Sequence, residues 1–363
     1  MTQVAKKVTL KDIAEQIGCS KAVVSTVLNR SKGNTGVSQP MREKIQQVAA
    51  QMGYRPNFSS QSLARQRTQT LGAYIPPQPW GSIGSNYESV IFRGIEKACQ
   101  ELDYDLLVFN RFGELRHENC TEKLYQRRVD GLFLVHAHGG CDWLDGFLKT
   151  GVPIVGVDYT NPEPEIDAVT FDNAGAIHMA LDHLVSLGHS KIAYLGQYTD
   201  RLVPDQEIRR QSYLDAMKRQ GLQVQNDWLL GELNHRIPHQ HDHSDQIACR
   251  ASQYLASLPA EKRPTAIITY NDMTAVNLIQ DLLDLGIDVP RDISVISVDD
   301  SYLCRVLRPR ITSMQHPLED MGYRAAYLLH NRIMNQSSTA SQGIHELYPS
   351  EVVVRQTTTS PRK

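Results

Sequence analysis

This sequence has no long apolar run, no closely spaced cysteines and no recognisable catalytic signature. No stretch nears the roughly 18 apolar residues of a membrane-spanning helix. The N-terminal lysines have no apolar segment behind them, so neither a membrane span nor a secretory signal is expected, which points to the cytoplasm. Cys19, Cys99, Cys120, Cys141, Cys249 and Cys304 lie far apart without a Cys-x-x-Cys, which argues against a zinc knuckle or a disulfide framework and for reduced, mostly buried thiols. Gly-x-x-x-x-Gly-Lys, Gly-x-Gly-x-x-Gly, His-Glu-x-x-His and Gly-x-Ser-x-Gly are all absent, so no catalytic residue and no cofactor is expected. One stretch is rich in metal-ligating side chains: His235, His239, His241 and His243 with Asp242 and Asp245. They lie in a Pro-containing polar segment without the fixed spacing of a known site, and a solvated loop rather than a metal site is expected.

What is present is an uneven distribution of charge. The net charge is −2, but residues 1–70 hold eleven Lys and Arg against Asp12, Glu15 and Glu43, a balance of +8 that leaves −10 for the remainder. A basic head on an acidic body is the footprint of a phosphate-binding module joined to a separate domain. With 363 residues, 41% of them hydrophobic and 21% charged, there is room for two or three globular domains.

The head is organised around residues 8–29, VTLKDIAEQIGCSKAVVSTVLN. Thr9 and Asp12 stand three apart as a capping box, which predicts a helix that begins at Leu10, turns Ile13, Ala14 and Ile17 inward and stops at Gly18. Ser20 caps a second helix with Val24, Val27 and Leu28 on its buried face. Lys21, Ala22, Ser25 and Thr26 are expected to point outward, offering a cation, a methyl and two small hydroxyls. Such a face fits the major groove, which the second helix of a helix-turn-helix enters by its N-terminal residues. On periodicity alone the same pair of helices also reads as a solvated hairpin. A third helix over about 39–52 carries Ile45, Val48, Ala49 and Met52 inward, giving a small all-α three-helix domain over residues 1–56. Pro56 bars that helix from running on. The linker, 57–70, begins with NFSSQSLARQR, which has a possible N-cap at Asn57 but is too short and too polar to be a stable helix alone.

The wording of the head resembles the lactose/galactose repressor family of bacterial transcription regulators, through Thr9, Asp12, Ile13, Ala14, Val24, Ser25, Val27, Leu28 and Asn29. The resemblance implies that Lys21, Ala22 and Thr26 read bases and that Thr9, Ser25, Asn29 and Ser38 contact phosphates, with Leu10, Ser20, Tyr54 and Asn57 completing the DNA-facing set. One departure is the loop over 30–36, with Gly33 and Gly36, which is longer than in the best-known members. Gln61, Leu63 and Ala64 match the Gln-x-Leu-Ala of the family's hinge helix, which folds on the operator, pairs with its dimer mate and inserts a leucine into the minor groove. Leu63 is then the expected wedge, the alternative being that it packs on its own domain.

From Leu71 onward strand and helix signals alternate. Strands are expected at 71–75, 105–109, 129–135 and 153–157 in one half and at 192–196, 265–269 and 293–298 in a second, with helices near 173–187, 205–220 and 272–285. Strands that alternate with helices imply parallel sheets, with a ligand cleft between the halves at the carboxyl ends of the strands. The resemblance continues to about Val354, through Val129-Asp130-Gly131, Phe171-Asp172-Asn173, Asn271-Asp272 and Val298-Asp299-Asp300. It implies an α/β effector domain of the periplasmic-binding-protein type over 71–363, with one half at about 71–170 plus 300–332 and the other at 171–299 plus 333–356. By position, Asp299 and Arg209 match the family's effector-binding pair, Tyr87, Asp158, Tyr159 and Asn271 match pocket linings, and Arg201 is a further candidate. A carboxylate with a forked arginine is a common solution for sugars and nucleobases.

The expected protein is therefore a cytoplasmic, nucleoid-associated bacterial homodimer, most naturally a repressor, with double-stranded operator DNA and a small carbohydrate effector as partners. A periplasmic sugar-binding protein shares the body but leaves the basic head unexplained. An α/β enzyme with an accessory head has no residues to stand on.

Overall fold

A computed structural model describes residues 8–29, 36–55, 57, 61–62, 65–76, 86–109, 116–196, 204–231, 244–335 and 342–362. Leu63, Ala64, Arg201, the histidines from His235 to His243 and most of the 30–36 loop lie outside them.

In the head, α1 (Leu10–Ile17), α2 (Lys21–Leu28) and α3 (Gln39–Gln51) close around Ile13, Ala14, Val24, Val27, Ile45 and Ala49. The capping box forms, with the Thr9 N–H donating to Asp12 Oδ2 at 2.7 Å and the Asp12 N–H to Thr9 Oγ1 at 3.4 Å. Gly18, at φ 78°, then ends α1 in the left-handed conformation that a glycine adopts without a Cβ penalty.

The body contains two sheets. The first has the order β10-β5-β4-β3-β1-β2, built from β1 (Thr70–Tyr74), β2 (Asp105–Phe109), β3 (Gly131–His138), β4 (Ile154–Thr160), β5 (Asp167–Phe171) and β10 (His345–Tyr348), every pair parallel. The second, β11-β9-β8-β7-β6, uses β6 (Ile192–Leu195), β7 (Ala266–Thr269), β8 (Ser294–Asp299) and β9 (Thr312–Gln315) in parallel, with β11 (Glu351–Val353) antiparallel at the edge. Helices cover both faces of each sheet, which is why the central strands are apolar runs rather than alternating ones. In chain order they include α4 (Asn86–Leu102), α5 (Arg116–Tyr125), α6 (Leu144–Leu148), α7 (Asn173–Ser186), α8 (Pro204–Arg219), α9 (Ser244–Ser257), α10 (Asp272–Asp284), α11 (Leu303–Val306) and α12 (Leu318–Met334).

The chain crosses between the halves after β5, after β9 and between β10 and β11. The first crossing follows Phe171, and the other two depart from the expected breaks at 299/300 and 332/333. Asp299 is followed by a strand that stays in the second half, because β9 pairs with β8. α12 and β10 then belong to the first half, since α12 packs on α4 and β10 pairs with β5. Reciprocal glycines set the α4–α12 approach. A Cβ on Gly94 would collide with the Glu319 carbonyl, and one on Gly322 with the Ile91 carbonyl, so the two backbones touch where any other residue would hold them apart.

The linker is fastened to the first half by Asp130, whose carboxylate accepts from the Thr68 N–H at 2.7 Å, the Thr68 hydroxyl at 3.0 Å and the Gln69 N–H at 2.8 Å. Ahead of that clamp Gln61 and Ser62 are helical, and the Gln61 N–H donates to the Asn57 carbonyl at 3.1 Å. Among the described residues no helix is long and apolar enough to cross a membrane, and no cluster of metal-ligating side chains is present.

Candidate functional site

The carboxyl ends of both sheets face one another, and buried charge collects there. Arg209, on the first turns of α8, is 4% exposed. Its Nε donates to Asn173 Oδ1 at 2.6 Å, one terminal nitrogen donates to the Tyr270 carbonyl at 2.5 Å, and the other lies 3.7 Å from Asp299 Oδ1. The guanidinium also sits 4.7 Å from the Tyr270 ring and 5.5 Å from that of Phe171, at the end of β5. Burial disfavours its charge, but Tyr270, Asp299 and Asp205 more than offset this and raise its pKa further. Burial drives the Asp299 carboxyl well above the ordinary carboxylate range, against the pull of Arg209 and with Asp272 and Asp158 adding to the push. His316 stacks on Phe171 with centroids 3.6 Å apart, and burial and Arg209 hold its pKa well below the usual value.

The first half contributes a second group. The Tyr87 hydroxyl donates to Asp158 Oδ2 at 3.2 Å, and His136 Nδ1 pairs with Glu88 Oε1 at 3.0 Å. Burial opposes the charge on His136, yet the Glu88 hydrogen bond and the charges of Asp158, Glu88 and Asp205 raise its pKa to about 9. His136 and Asp158 both have φ 52°, the left-handed region, near the ends of adjacent strands. Non-glycine residues held there cost energy and collect where a side chain must be aimed.

That double kink corrects one expectation. Tyr159 does not line the cleft. The left-handed residue before it resets the alternation of β4, so its ring lies in the core between β3–β4 and α5–α6 with Tyr74 and Phe147, and its hydroxyl donates to Glu163 at 2.9 Å. Gly156 makes room for it, since a Cβ there would overlap the Tyr159 ring. Asn271 is partly committed as well. Its Oδ1 caps α10 by accepting from the Thr274 N–H at 2.9 Å and hydroxyl at 2.8 Å, which leaves its Nδ2 unengaged among the described residues. Glu88, His136, Asp205, Tyr270 and His316 were not singled out from sequence, and Phe171 and Asn173 were quoted for the resemblance without a role in the pocket. A histidine closing the apolar run of β3 at its carboxyl end was the one legible signal.

In the head, Lys21 and Ala22 are exposed at the start of α2, as expected, and Ser25 is half-buried. Thr26 departs from the outward face assigned to it: it is 8% exposed and its hydroxyl donates back to the Ala22 carbonyl at 3.0 Å. Asn29 is buried too, with Nδ2 donating to Ser25 Oγ at 3.1 Å. Ser20 accepts from the Val23 N–H at 3.3 Å, and Ser38 stands exposed at the start of α3 without a side-chain cap bond. Thr9 and Asn57 are exposed, and Leu10, Tyr54 and Gln61 are half-buried.

Residues 9–57 match the sequence profile described as "Bacterial regulatory proteins, lacI family", and residues 181–358 match that of a "Periplasmic binding protein-like domain". The chain belongs to the lacI family. It is a DNA-binding transcription regulator and not an enzyme. Among similar proteins, the NTD biosynthesis operon regulator NtdR of Bacillus subtilis is 27% identical over 351 residues, 96% of this chain and 99% of that protein. The ribose operon repressor of Escherichia coli is 29% identical over 328 residues, 90% of this chain and 93% of that one. In fold, this lacI-family chain is similar to the lac repressor dimer bound to operator and the anti-inducer ONPF, with a TM-score of 0.75, 24% identity, and 98% and 100% of the two chains covered. The transcriptional regulator CelR in complex with cellobiose gives 0.67 at 24% identity, covering 97% and 100%.

Proposed function

We propose that this protein is a homodimeric repressor of the bacterial cytoplasm whose grip on a near-palindromic operator is set by a sugar bound between the halves of its body. The observation that carries this reading is the cluster itself: Arg209, Asp299, Asn173 and Tyr270 from one half face Tyr87, Asp158 and His136 from the other, so a polar ligand touching both sets favours one relative orientation. An effector shifts DNA binding only through its different affinities for two such arrangements. The clamp of Asp130 on Thr68 and Gln69 supplies a rigid link from the first half to the linker. Sugar ligands also accord with the cellobiose complex of CelR and the name of the ribose operon repressor.

On the DNA side, Lys21 and Ala22 are the proposed base readers, with Thr26 shaping α2 from within, and Thr9, Ser25, Asn29 and Ser38 position the head on phosphates. Leu63 is the proposed minor-groove wedge. One head spans few base pairs, so two heads on half-sites about one helical turn apart are required. A thermal-shift screen over sugars and nucleosides, repeated with operator DNA, tests the reading. A sugar should raise the unfolding temperature of the protein and change operator affinity, and sedimentation should give a dimer. A stable monomer with full operator affinity, or stabilisation by nucleosides alone, would overturn it.

A further inference from the structure

We propose that the second half carries a separate anion site on the outer edge of its sheet, and that the ligand is a small phosphate monoester. β11 closes that edge, and a groove of about 710 Å³ lies beside it, among Arg305, Arg310, Arg355, Gln315 and Gln356. Small-molecule sites run from roughly 300 to 1,000 Å³. Among the described residues Asp300 is the one carboxylate in the lining, against three arginines. The groove is therefore positive by two charges on a body whose sum is −10.

The arginines are held in place but not satisfied. Asp300, whose side chain is 1% exposed, anchors two of them: Arg305, on α11, reaches its Oδ2 at 2.9 Å, and a terminal nitrogen of Arg355 lies 2.6 Å from its Oδ1. The other terminal nitrogen of Arg355 donates to the Ile311 carbonyl at 2.7 Å. One carboxylate cancels only one of these charges, and each guanidinium has five N–H donors. Arg310 is exposed, and its guanidinium has no partner among the described residues. Its backbone is fixed all the same, since its N–H donates to Gln356 Oε1 at 2.8 Å and its carbonyl accepts from the Gln356 N–H at 2.9 Å. The first of these bonds occupies the Gln356 amide oxygen, so its NH2 group is what remains for a ligand. Charged donors set around one groove suit a dianion with several acceptor oxygens, and a phosphate monoester has three. Val353 and Val354 add an apolar wall that inorganic phosphate has no means to use, whereas the carbon skeleton of an ester can lie against it.

The groove is not part of the cleft, although the two share strand ends. Asp299 meets Arg209 and His316 in the cleft, and Asp300 meets Arg305 and Arg355 in the groove. In the same way Gln315 lines the groove while His316, next in the chain, stacks on Phe171. Asp299 and Asp300 have φ 115° and 53°, two consecutive left-handed residues that send adjacent carboxylates to different sites. Non-glycine residues held there cost energy and collect at functional sites.

Titration calorimetry on the full-length protein tests the site, in phosphate-free buffer at about 0.15 M salt so that diffuse attraction is screened. The probes are glycerol 3-phosphate, glucose 6-phosphate, inorganic phosphate, glycerol and glucose. At least one ester should bind on the order of tenfold more tightly than both its parent alcohol and inorganic phosphate. Arg310→Gln removes an exposed, uncommitted cation, so it should fold, and it should weaken that ester by about tenfold. Arg305→Gln is the second variant, read the same way, and Arg291→Gln, at an exposed position outside the groove, should change nothing. An ester that binds no better than its parent, or that loses nothing in both groove variants, overturns the site. Inorganic phosphate that binds as tightly as both esters overturns the ester. Operator binding that weakens in Arg310→Gln with no anion added would give the arginines to DNA, and silence from every phosphate probe would leave them without a ligand; either result overturns the proposal.

Discussion

The head and the cleft do their work with opposite chemistry. In the head, the charged side chain proposed to meet DNA is exposed, and what holds the surface together is local: the Thr9–Asp12 box spans three residues, and Ser20 bonds to the backbone three ahead. In the cleft, the proposed groups are buried or half-buried, and they come from positions as far apart as Glu88 and His316. A head built this way can exchange a contact without losing its fold. The cleft cannot, because each charged group there is also the partner that makes another group's burial tolerable.

Arg209→Ala presses that contrast hardest. Removing one member of a buried, hydrogen-bonded charge set leaves the others uncompensated, and the loss of stability should be about 3–5 kcal/mol, read by chemical denaturation. A loss under about 1 kcal/mol would mean that the cleft is wetter than its burial indicates. Lys21→Ala, by contrast, should leave stability within about 0.5 kcal/mol while altering base preference by roughly 1–3 kcal/mol at one position per half-site, seen by selection of binding sites. An unchanged preference would remove Lys21 from the readers. Thr9→Ala should cost about 1 kcal/mol through the lost cap and lower affinity for any DNA, while calorimetry finds ligand binding in the cleft as before.

The contrast extends to pH dependence. Residues 1–56 contain no histidine, so the head has no imidazole to titrate near neutrality. His136 has its pKa raised from 6.5 to about 9 in the folded protein, so its contribution to stability is complete below pH 6.5 and disappears as pH rises through about 9. The unfolding temperature of the body should fall across that window, and Glu88→Gln should flatten the fall. An identical slope in the variant would show that the pair does not set it.

The same contrast explains what could be read in advance. The helices of the head were legible because caps and periodicity act over three or four residues, and the central strands of the body because they are apolar runs. Thr26 escaped because its hydroxyl turns back onto its own helix, a choice that helical spacing does not encode. Tyr159 escaped because it was placed by resemblance alone, and the left-handed Asp158 before it turns its ring into the core. The second and third crossings were misplaced because β9 and β10 are four residues each, and β10 shows none of the continuous apolar pattern of its neighbours. Arg209 and Asp299 were named by position, but Asp205, Tyr270 and His316 lie beyond the ends of β6, β7 and β9 and are brought together only when the second half folds.

The three crossings have a mechanical consequence. A single connecting strand would let one half tilt, twist and slide on the other, whereas three strands running between the same two bodies behave like the pins of a door. Sliding or shearing would strain all three connections at once, and the one cheap motion left is rotation about the line through the pins. On the proposed reading, a ligand in the cleft would be reported to the linker as a single angle, and ligands of different shape that hold the same angle would give the same answer at the DNA.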